Sequence, residues 1–248
     1  LLAEAPQAIL METGVGGIGK YSQALRLISA ERQAAAAASA SLPQAGVIVM
    51  NANPFTLGHR RLVEQAAAQV GTLYVVIVKE DCSVFSYAER KDMVSRGVAD
   101  LPNVCVVDGS DYAVSKATFP TYFLKRLSDA SDTQMLLDLD LYGRHIAPAL
   151  GATVRFVGSE PTDALTCRYN KLMQATLPDV RVMQRYEVDG EPVSASRVRM
   201  ALVKNNLSAA APLVPPTTLP YLIAHLATRA LRTELNTTPK PGPVDSRD

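Results

Sequence analysis

Strand-like apolar runs alternate with helix-period segments along most of this chain, and this alternation limits the possible folds more than any other feature. The predicted strands cover residues 46–51, 72–79, 103–108, 135–138, 153–158 and 180–188. The predicted helices cover residues 58–70, 87–100, 142–150, 163–177, 194–205 and 216–231. Strands and helices in alternation form right-handed βαβ units, whose parallel strands are covered by helices on both faces. The sequence therefore predicts an α/β fold with a doubly wound, mostly parallel sheet.

The length of 248 residues fits one full domain with an appendage better than two equal domains. Residues 31–43 are rich in alanine, which indicates an interdomain helix or linker, so we expect the main domain to begin at residue 44. The end of the chain, residues 236–248, is rich in proline and charge and is predicted to be disordered. Because the chain begins with Leu1 rather than Met, we expect an upstream portion to be missing.

Charge and cysteine content exclude several classes of protein. The formal net charge of +1 gives no overall field that would draw the chain to nucleic acid or to an anionic membrane. No apolar run reaches the roughly 20 residues of a spanning helix, and Glu4 and Glu12 make the opening segment a poor signal peptide. Cys82, Cys105 and Cys167 are scattered and odd in number, which argues against disulfides and a zinc site. We therefore predict a protein of the reducing cytoplasm.

The loop after the first strand of the main domain is suited to bind an anion. It contains Asn53, Pro54, Phe55, Thr56, Leu57, Gly58 and His59. Ligands bind at the carboxyl ends of parallel strands, and the free N–H groups of a new helix suit a phosphate. Gly58 lets the backbone approach closely, while Thr56 and His59 add a hydroxyl and an imidazole. The alternative is an ordinary turn followed by a surface helix, but the position at the strand end favours the anion site.

A second anion-binding segment is predicted at residues 194–199. Ser194 is a natural N-cap, and Ser196 and Arg199 belong to the first turn of the helix that follows. Cations at a helix N-terminus oppose the helix dipole, so Arg197 and Arg199 need a compensating anion, which a bound phosphate would provide. The alternative is a capped surface helix.

Weaker candidates follow other strands. Lys79 would reach a phosphate or a substrate carboxylate, although a solvated lysine at a strand end is an equal alternative, and Arg90 is interpreted in the same way. Gly158 and Glu160 follow a later strand, where the carboxylate would accept ribose hydroxyls and Tyr169 would stack or form a hydrogen bond. A plain loop is the alternative there.

Further polar residues are interpreted as structural. Asp138 and Asp140 are placed at the end of the predicted strand 135–138, as solvated or capping residues. His145 and His225 lie on helical segments without the spacing of metal ligands, so no metal site is predicted.

The glycines at 14, 16 and 19 fit the pattern G-x-G-x-x-G after a short apolar run. That pattern binds a dinucleotide only when a second strand brings an acidic residue about 20 positions later, and here the interval is the alanine-rich segment. We therefore favour a flexible, close-packed turn over a dinucleotide site.

Two short signatures resemble those of the nucleotidyltransferase superfamily. Residues 56–59 resemble the (His/Thr)-x-Gly-His signature, which grips the triphosphate of ATP in that superfamily. Residues 193–199 resemble Ile-Ser-Ser-Thr-x-x-Arg, with Val193, Ala195 and Ser196 in place of Ile, the second Ser and Thr. Longer strings at 49–59, 117–125, 145–151 and 155–161 resemble the citrate lyase ligase family.

The resemblance runs from about residue 46 to residue 222 and implies a Rossmann-like fold of the nucleotidyltransferase type. It implies that residues 1–43 are a remnant of an N-terminal acetyltransferase-like domain with its linker, and that residues 44–235 form the catalytic domain. By position it implies catalytic roles for Thr56, His59 and Arg199. The ATP-binding residues that it implies, together with those argued above, are Asn53, Pro54, Phe55, Thr56, Gly58, His59, Lys79, Gly158, Glu160, Ser194, Ser196 and Arg199.

The activity that the resemblance implies is that of a ligase using ATP, with Mg²⁺, and acetate. Acetyl adenylate would form, and the prosthetic-group thiol of the citrate lyase acyl carrier subunit would take the acetyl group, with release of AMP and pyrophosphate. The acyl carrier subunit and acetate are thus the expected partners, with no nucleic acid and no membrane. Two alternatives stay open: an adenylyltransferase of the phosphopantetheine or nicotinamide mononucleotide type, and a nucleotide-binding module without turnover.

Overall fold

The computed structural model describes residues 1–14, 16–37, 44–79, 83–115, 131–160 and 163–237, with side chains up to residue 230. The strands are β1 (Ala3–Ala5), β2 (Ala8–Leu10), β3 (Ala45–Met50), β4 (Thr72–Ile77), β5 (Val104–Asp108), β6 (Ala152–Gly158), β7 (Val180–Met183), β8 (Glu187–Val188) and β9 (Glu191–Pro192). The helices are α1 (Gly17–Ala37), α2 (Leu57–Ala67), α3 (Tyr87–Gly97), α4 (Ser131–Leu141), α5 (Ala147–Leu150), α6 (Ala164–Thr176), α7 (Ala195–Val203), α8 (Leu207–Ala210) and α9 (Leu219–Thr237). A π-helical turn covers Tyr142–Ile146, and a 3₁₀ turn covers Ala211–Leu213.

The central sheet has five strands in the order β5-β4-β3-β6-β7, and all neighbouring pairs are parallel. The chain moves outward from β3 to β5 and then returns to place β6 on the other side of β3. This reversal is a topological switch point, where ligands bind at the carboxyl ends of the strands. Pairing between β3 and β6 ends at Val47 and Arg155, although both strands continue. The two strands therefore leave a gap between them at that end of the sheet.

Both faces of the sheet are buried under helices. Ile48 and Val75 belong to one apolar cluster, which also contains Met93 of α3. Val47 and Tyr74, which alternate with them along the strands, belong to a second cluster that includes side chains of α1 and α4. Alternation of neighbouring residues between two covered faces is the pattern of a doubly wound sheet. The predicted fold class is confirmed.

One predicted strand is wrong, because residues 135–138 lie in helix α4. The alternation of Leu137, Asp138, Leu139, Asp140 and Leu141 has the period of a half-buried strand. In the structure this helix is covered on more than one side, so buried positions occur around its circumference and the helical period disappears from the sequence. The π-helical turn and α5, predicted as a helix at 142–150, continue it to a left-handed cap at Gly151.

The strand predicted at 180–188 is also interrupted. Strand β7 ends at Met183, and β8 then pairs with β9 in a small antiparallel hairpin. Asp189 and Gly190 connect that hairpin with positive φ angles of 56° and 73°. An Asp-Gly pair with these angles is the signal of a two-residue hairpin turn. The break releases residues 184–186 from the sheet, and they reach the cleft described below.

The N-terminal segment packs on the sheet-containing part of the chain. The hairpin β1-β2 lies against α4, and α1 lies against α5. Residues 31–37 of the alanine-rich segment continue α1, while residues 38–43 lie outside the described residues. The Glu12 carboxylate accepts a hydrogen bond from the backbone N–H of Ile18 at the start of α1 (3.4 Å). A side chain of the protein thus takes the place that a pyrophosphate would have in a dinucleotide site.

Some predictions fall outside the described residues, among them the string at 117–125 and most of the predicted disordered tail, from residue 238 onward. Helix α9 continues through residues 236 and 237. The boundary of the catalytic domain at residue 44 stays a prediction. In the described part of the chain, no helix is both long enough and apolar enough to span a bilayer.

Candidate active site

A cleft of about 790 Å³ opens at the carboxyl end of the sheet, at the switch point between β3 and β6. The loops that follow β3, β6 and β7 form its floor and sides. The first residues of α2, α6 and α7 also line it, so three helix N-termini face the same space. Free backbone N–H groups and the positive end of the helix dipole both favour an anion there.

The first wall of the cleft is built by a reciprocal cap between Thr56 and His59. The Thr56 hydroxyl accepts a hydrogen bond from the backbone N–H of His59 (3.3 Å), and His59 Nδ1 accepts one from the backbone N–H of Thr56 (3.1 Å). The two side chains are also in contact, with 2.9 Å between Thr56 Oγ1 and His59 Nδ1. An Nδ1 that accepts from a backbone N–H carries no proton, so the neutral ring carries its proton on Nε2.

The imidazole of His59 is held neutral by its surroundings. Burial, with help from the charges of Arg185 and Arg199, lowers the pKa of His59 to about 4. The ring also lies nearly parallel to that of Phe55, with 5.8 Å between the ring centroids and 14° between the planes. His59 therefore presents a neutral N–H donor at pH 7.

The two predicted segments, far apart in sequence, meet at the cleft. Arg199 Nη1 donates a hydrogen bond to the backbone oxygen of Asn53 (2.6 Å) across 146 positions of sequence. Gly58 lies so close to Val193 that an added Cβ would be 3.0 Å from the Val193 carbonyl oxygen. A side chain at position 58 would therefore press the segments apart, which is the close approach for which glycine is suited.

The second wall contributes hydroxyls and a guanidinium. Ser194 caps α7, its hydroxyl accepting from the backbone N–H of Arg197 (3.2 Å), and the Ser196 hydroxyl accepts from Arg199 Nη2 (3.0 Å). Each serine hydroxyl is used as an acceptor in these bonds and keeps its own proton to donate. Burial lowers the pKa of Arg199, and in the described residues Arg199 forms no ion pair. A partly buried cation without a carboxylate partner is well placed to receive an anionic ligand.

Arg185 is a residue of the cleft that sequence analysis missed. Its guanidinium forms an ion pair with Glu160, with 2.7 Å between Nη1 and Oε1, and both side chains are mostly buried. Glu160 was expected to accept ribose hydroxyls, but here its Oε1 also accepts from the backbone N–H of Asp163 (3.2 Å). The sequence did contain a sign that Arg185 belongs to the cleft, namely its position just after a strand, between β7 and the Asp-Gly turn. The unbroken strand predicted at 180–188 obscured it.

Nine of the twelve predicted ATP-binding residues line this cleft, and three do not. Those that do are Asn53, Thr56, Gly58, His59, Gly158, Glu160, Ser194, Ser196 and Arg199. Pro54 and Phe55 are buried beneath it, where Phe55 supports the His59 ring. Lys79 is exposed at the end of β4, beside Gly109 at the end of β5, away from the switch point.

Two arginines discussed as possible phosphate ligands have other partners. Arg90 is fully buried and donates to the backbone oxygens of Asn51 (2.7 Å) and Val78 (2.9 Å). Arg197 forms an ion pair with Glu191 (2.9 Å), so a protein carboxylate provides the anion that we expected from a phosphate. Neither residue lines the cleft.

The remaining polar candidates belong to the packing of the protein. Asp138 is buried and accepts hydrogen bonds from the Val114 backbone N–H (2.9 Å) and the Tyr169 hydroxyl (2.5 Å). His145 Nε2 lies 3.0 Å from the backbone oxygen of Leu2, and His225 contacts the ring of Phe85. Among the described residues, no three His, Cys, Asp or Glu side chains are grouped so that they could hold a metal ion.

Comparison with known proteins identifies relatives over most of the chain. Residues 45–222 match the family described as citrate lyase ligase C-terminal domain. A citrate (pro-3S)-lyase ligase of Escherichia coli K12 is 42% identical over 223 residues, which cover 86% of this chain and 60% of that protein. The protein of the same name from Klebsiella pneumoniae is 48% identical over 186 residues, covering 72% of this chain and 54% of that protein. The chain thus spans a little more than half the length of these relatives.

Among solved structures, the Plasmodium falciparum nicotinic acid mononucleotide adenylyltransferase complexed with APC is 14% identical, with a TM-score of 0.48. The likeness covers 73% of this chain and 95% of that chain. The family assignment does not depend on this likeness, because the match over residues 45–222 extends over more than half of the sequence. The chain belongs to the citrate lyase ligase family.

Proposed function

We propose that this chain carries the ATP-dependent catalytic unit of a citrate lyase ligase, within residues 44–235. In this reaction ATP and acetate form acetyl adenylate and pyrophosphate. The prosthetic-group thiol of the citrate lyase acyl carrier subunit then takes the acetyl group and AMP leaves. The names of the relatives support the overall reaction, and the cleft supports its first step.

One observation carries the proposal, namely that Arg199 lies against Asn53 and brings two distant segments to one cleft. Thr56 and His59 stand on one side of this cleft, and Ser194, Ser196 and Arg199 stand on the other. A triphosphate is a polyanion, and the donors on both sides would surround it. Such a set stabilises charge without a covalent intermediate on the enzyme.

In the first step an oxygen of the acetate carboxylate attacks the α-phosphorus of ATP. The bond from that phosphorus to the bridging oxygen breaks, and pyrophosphate leaves with the electron pair. His59 would donate its Nε2–H, and the two serines their hydroxyl protons, to phosphate oxygens. Arg199 would stabilise the negative charge that grows on the departing pyrophosphate. Arg185, which lies in the same cleft, would add a second cation.

In the second step the sulfur of the thiol attacks the carbonyl carbon of acetyl adenylate. The carbon–oxygen bond to the phosphate breaks, AMP leaves, and the thiol proton is released. This step needs no nucleophile from the chain. Its substrate is a protein-bound thiol, so the open side of the cleft is the side that the acyl carrier subunit must reach.

Magnesium fits this site as an ion that arrives with the nucleotide. The carboxylates that line the cleft, Glu160 and Asp163, are already engaged with Arg185 and with the N-terminus of α6. Magnesium prefers phosphate oxygens and water over an all-protein cage at such sites. When bound, it would neutralise part of the triphosphate charge.

The proposal is tested by ATP–pyrophosphate exchange with and without acetate. We expect exchange that depends on acetate in the unaltered chain and a loss of at least about 100-fold in His59→Ala, because one lost donor in such a site costs about that much. The matched control is His225→Gln, whose ring contacts Phe85 and does not line the cleft. Exchange that His59→Ala leaves unchanged would remove His59 from the site.

The same assay separates the alternatives. Pyrophosphate release with pantetheine phosphate or nicotinamide mononucleotide, and none with acetate, would replace the ligase proposal by an adenylyltransferase. Tight ATP binding without exchange for any acceptor would leave a nucleotide-binding module.

A further inference from the structure

We propose that a small cavity between β3 and β6 is the subsite for the acid substrate, and that Arg155 provides the counter-charge for its carboxylate. The assignment rests on the proposed function, because it identifies where the carboxylate that attacks ATP is held. Arg155 lies on β6, at the last point where β6 pairs with β3.

The cavity fills the gap that the two strands leave beyond this point. Its volume is about 130 Å³, against the roughly 30 Å³ that one water takes up in the liquid. It therefore has room for a molecule of a few non-hydrogen atoms. Its lining shares Val49, Met50, Gly158 and Thr166 with the ATP cleft, so the two spaces adjoin at the switch point of the sheet.

Arg155 is a buried cation with unused donors. Its exposed fraction is 5%, and neither Nε nor Nη1 has a hydrogen-bond partner. None of the ion pairs within the described ranges includes Arg155. The ring of Tyr142 lies beneath it, with 4.5 Å between the Arg155 Cζ atom and the ring centroid. The face of one ring offsets only part of the cost of burying a cation that has no counter-charge.

Two other arginines of this chain, one buried and one partly exposed, show what a satisfied guanidinium looks like. Arg90 is as deeply buried, and its side chain donates to three backbone oxygens, those of Phe85, Asn51 and Val78. Arg181, on the neighbouring strand β7, pairs with Asp179 (3.0 Å). Arg155 differs from both: its guanidinium meets the side chain of Tyr142, but its Nε and Nη1 have no acceptor within the described residues. A carboxylate ligand would supply two acceptor oxygens.

The rest of the cavity suits a short acid. Val49, Val157 and Met173 are apolar and would receive a methyl group, while Thr166 and Asn170 add polar atoms near the cleft. An apolar wall excludes water from the carboxylate and strengthens its interaction with the guanidinium. Longer acids would have to displace these side chains, so the cavity would also limit the length of the substrate.

The test compares Michaelis constants in Arg155→Met, which keeps an unbranched apolar side chain and removes the guanidinium with its charge. We expect the KM for acetate in ATP–pyrophosphate exchange to rise at least about 10-fold, since a hydrogen bond to a charged group contributes about 1.5 to 3 kcal/mol. The KM for ATP should change less than about twofold. An unchanged KM for acetate would overturn the assignment.

The matched control is Arg181→Met, which removes an arginine of the adjacent strand that does not line the cavity. Its KM for acetate should equal that of the unaltered chain. If Arg155→Met fails to fold, Arg155→Lys replaces it, because lysine keeps the charge without the planar fork. A normal KM for acetate in Arg155→Lys would then also count against the assignment.

A binding measurement separates this inference from the proposed function. Sodium acetate, compared with sodium chloride at equal ionic strength, should raise the unfolding midpoint of the unaltered chain and not that of Arg155→Met. A shift of this kind without any exchange would keep the carboxylate site and reject the ligase reaction. Exchange without a difference between the two chains in either measurement would keep the reaction and reject the site.

Discussion

At the scale of single residues, the cleft depends on a helix cap that also fixes a tautomer. Thr56 and His59 each satisfy a backbone N–H of the other at the start of α2. Capping of this kind is normally a device of stability. Here the same bonds leave the proton of the imidazole on Nε2, so the local rules of helix termini also determine the chemistry of the site.

The low pKa of His59 predicts a pH-dependent stability. Burial and two nearby arginines lower this pKa to about 4, whereas an unfolded histidine titrates near 6.5. Between these values the unfolded chain binds a proton that the folded chain excludes, so the free energy of unfolding should decrease as the pH falls through this range. We expect a decrease of about 3 kcal/mol from this group between pH 7 and pH 4, since each unit of pKa shift corresponds to about 1.4 kcal/mol.

Urea unfolding of the unaltered chain and of His59→Gln at a series of pH values between 7 and 4 would measure this effect. The free energy of unfolding of His59→Gln should change less with pH over the same range. Parallel curves for the two chains would show that His59 is not the group responsible.

The cleft arginines are distinguished by their partners. Arg185 lies in the cleft beside Glu160, while Arg197, close by in sequence, pairs with Glu191 outside it. We expect Arg185→Gln to raise the KM for ATP about 10-fold, because a cation that meets phosphate contributes a charge-assisted hydrogen bond. Arg197→Gln should leave it nearly unchanged, since an exposed pair contributes little. Equal effects of the two substitutions on exchange kinetics would contradict this distinction.

At the scale of elements, hydrogen bonds from a neighbouring helix hold the carboxyl ends of β3 and β4 in place. Arg90 of α3 donates these bonds to the carbonyl oxygens that follow β3 and β4, those of Asn51 and Val78. Its guanidinium also contacts the Asn51 side chain (2.8 Å), and Asn51 lines the cleft. An arginine on a helix thus fastens two neighbouring strand ends.

Arg90→Met should therefore lower the free energy of unfolding by about 3 kcal/mol, because buried carbonyl oxygens would lose their donor. The control is Arg96→Met on the same helix, where loss of an exposed pair with Asp92 should change the free energy of unfolding little. Urea unfolding at pH 7 measures both. A loss in Arg90→Met no larger than that in the control would show that the strand ends do not depend on this residue.

The elements also show what the sequence could predict. The strands β3, β4 and β5 and the loop with Thr56 and His59 were predictable, because a buried strand, a cap and an abrupt helix start leave local signals. Helix α4 was not, since packing on several sides removed its period. Arg155 was not singled out either, because a buried unpaired charge becomes visible only when its surroundings are known.

At the scale of the whole molecule, residues 1–37 complete one face of the protein. Leu25 of α1 is 1% exposed in the cluster that includes Val47 and Tyr74 of the sheet. The Ser29 hydroxyl donates to the backbone oxygen of Leu150 (3.0 Å), which ties α1 to α5. This segment, predicted as a remnant of a preceding domain, has an apolar interface with the proposed catalytic unit.

Removal of residues 1–37 tests how independent the catalytic unit is. We expect the free energy of unfolding to fall by at least about 3 kcal/mol, because at least two buried leucines, Leu2 and Leu25, lose their contribution and the sheet face becomes exposed. Calorimetry and sedimentation would detect the lower midpoint and any aggregation. An unchanged midpoint would mean that the remaining residues 38–248 are stable without this segment.

The bond between Arg199 and Asn53 spans 146 positions and so has a consequence for biogenesis. A nascent chain that has emerged only as far as β7 holds one wall of the proposed nucleotide site and lacks the wall that α7 supplies. Contacts so distant along the chain form late, after the intervening polypeptide has been ordered. Nucleotide affinity should therefore appear abruptly during synthesis, once α7 has left the ribosome.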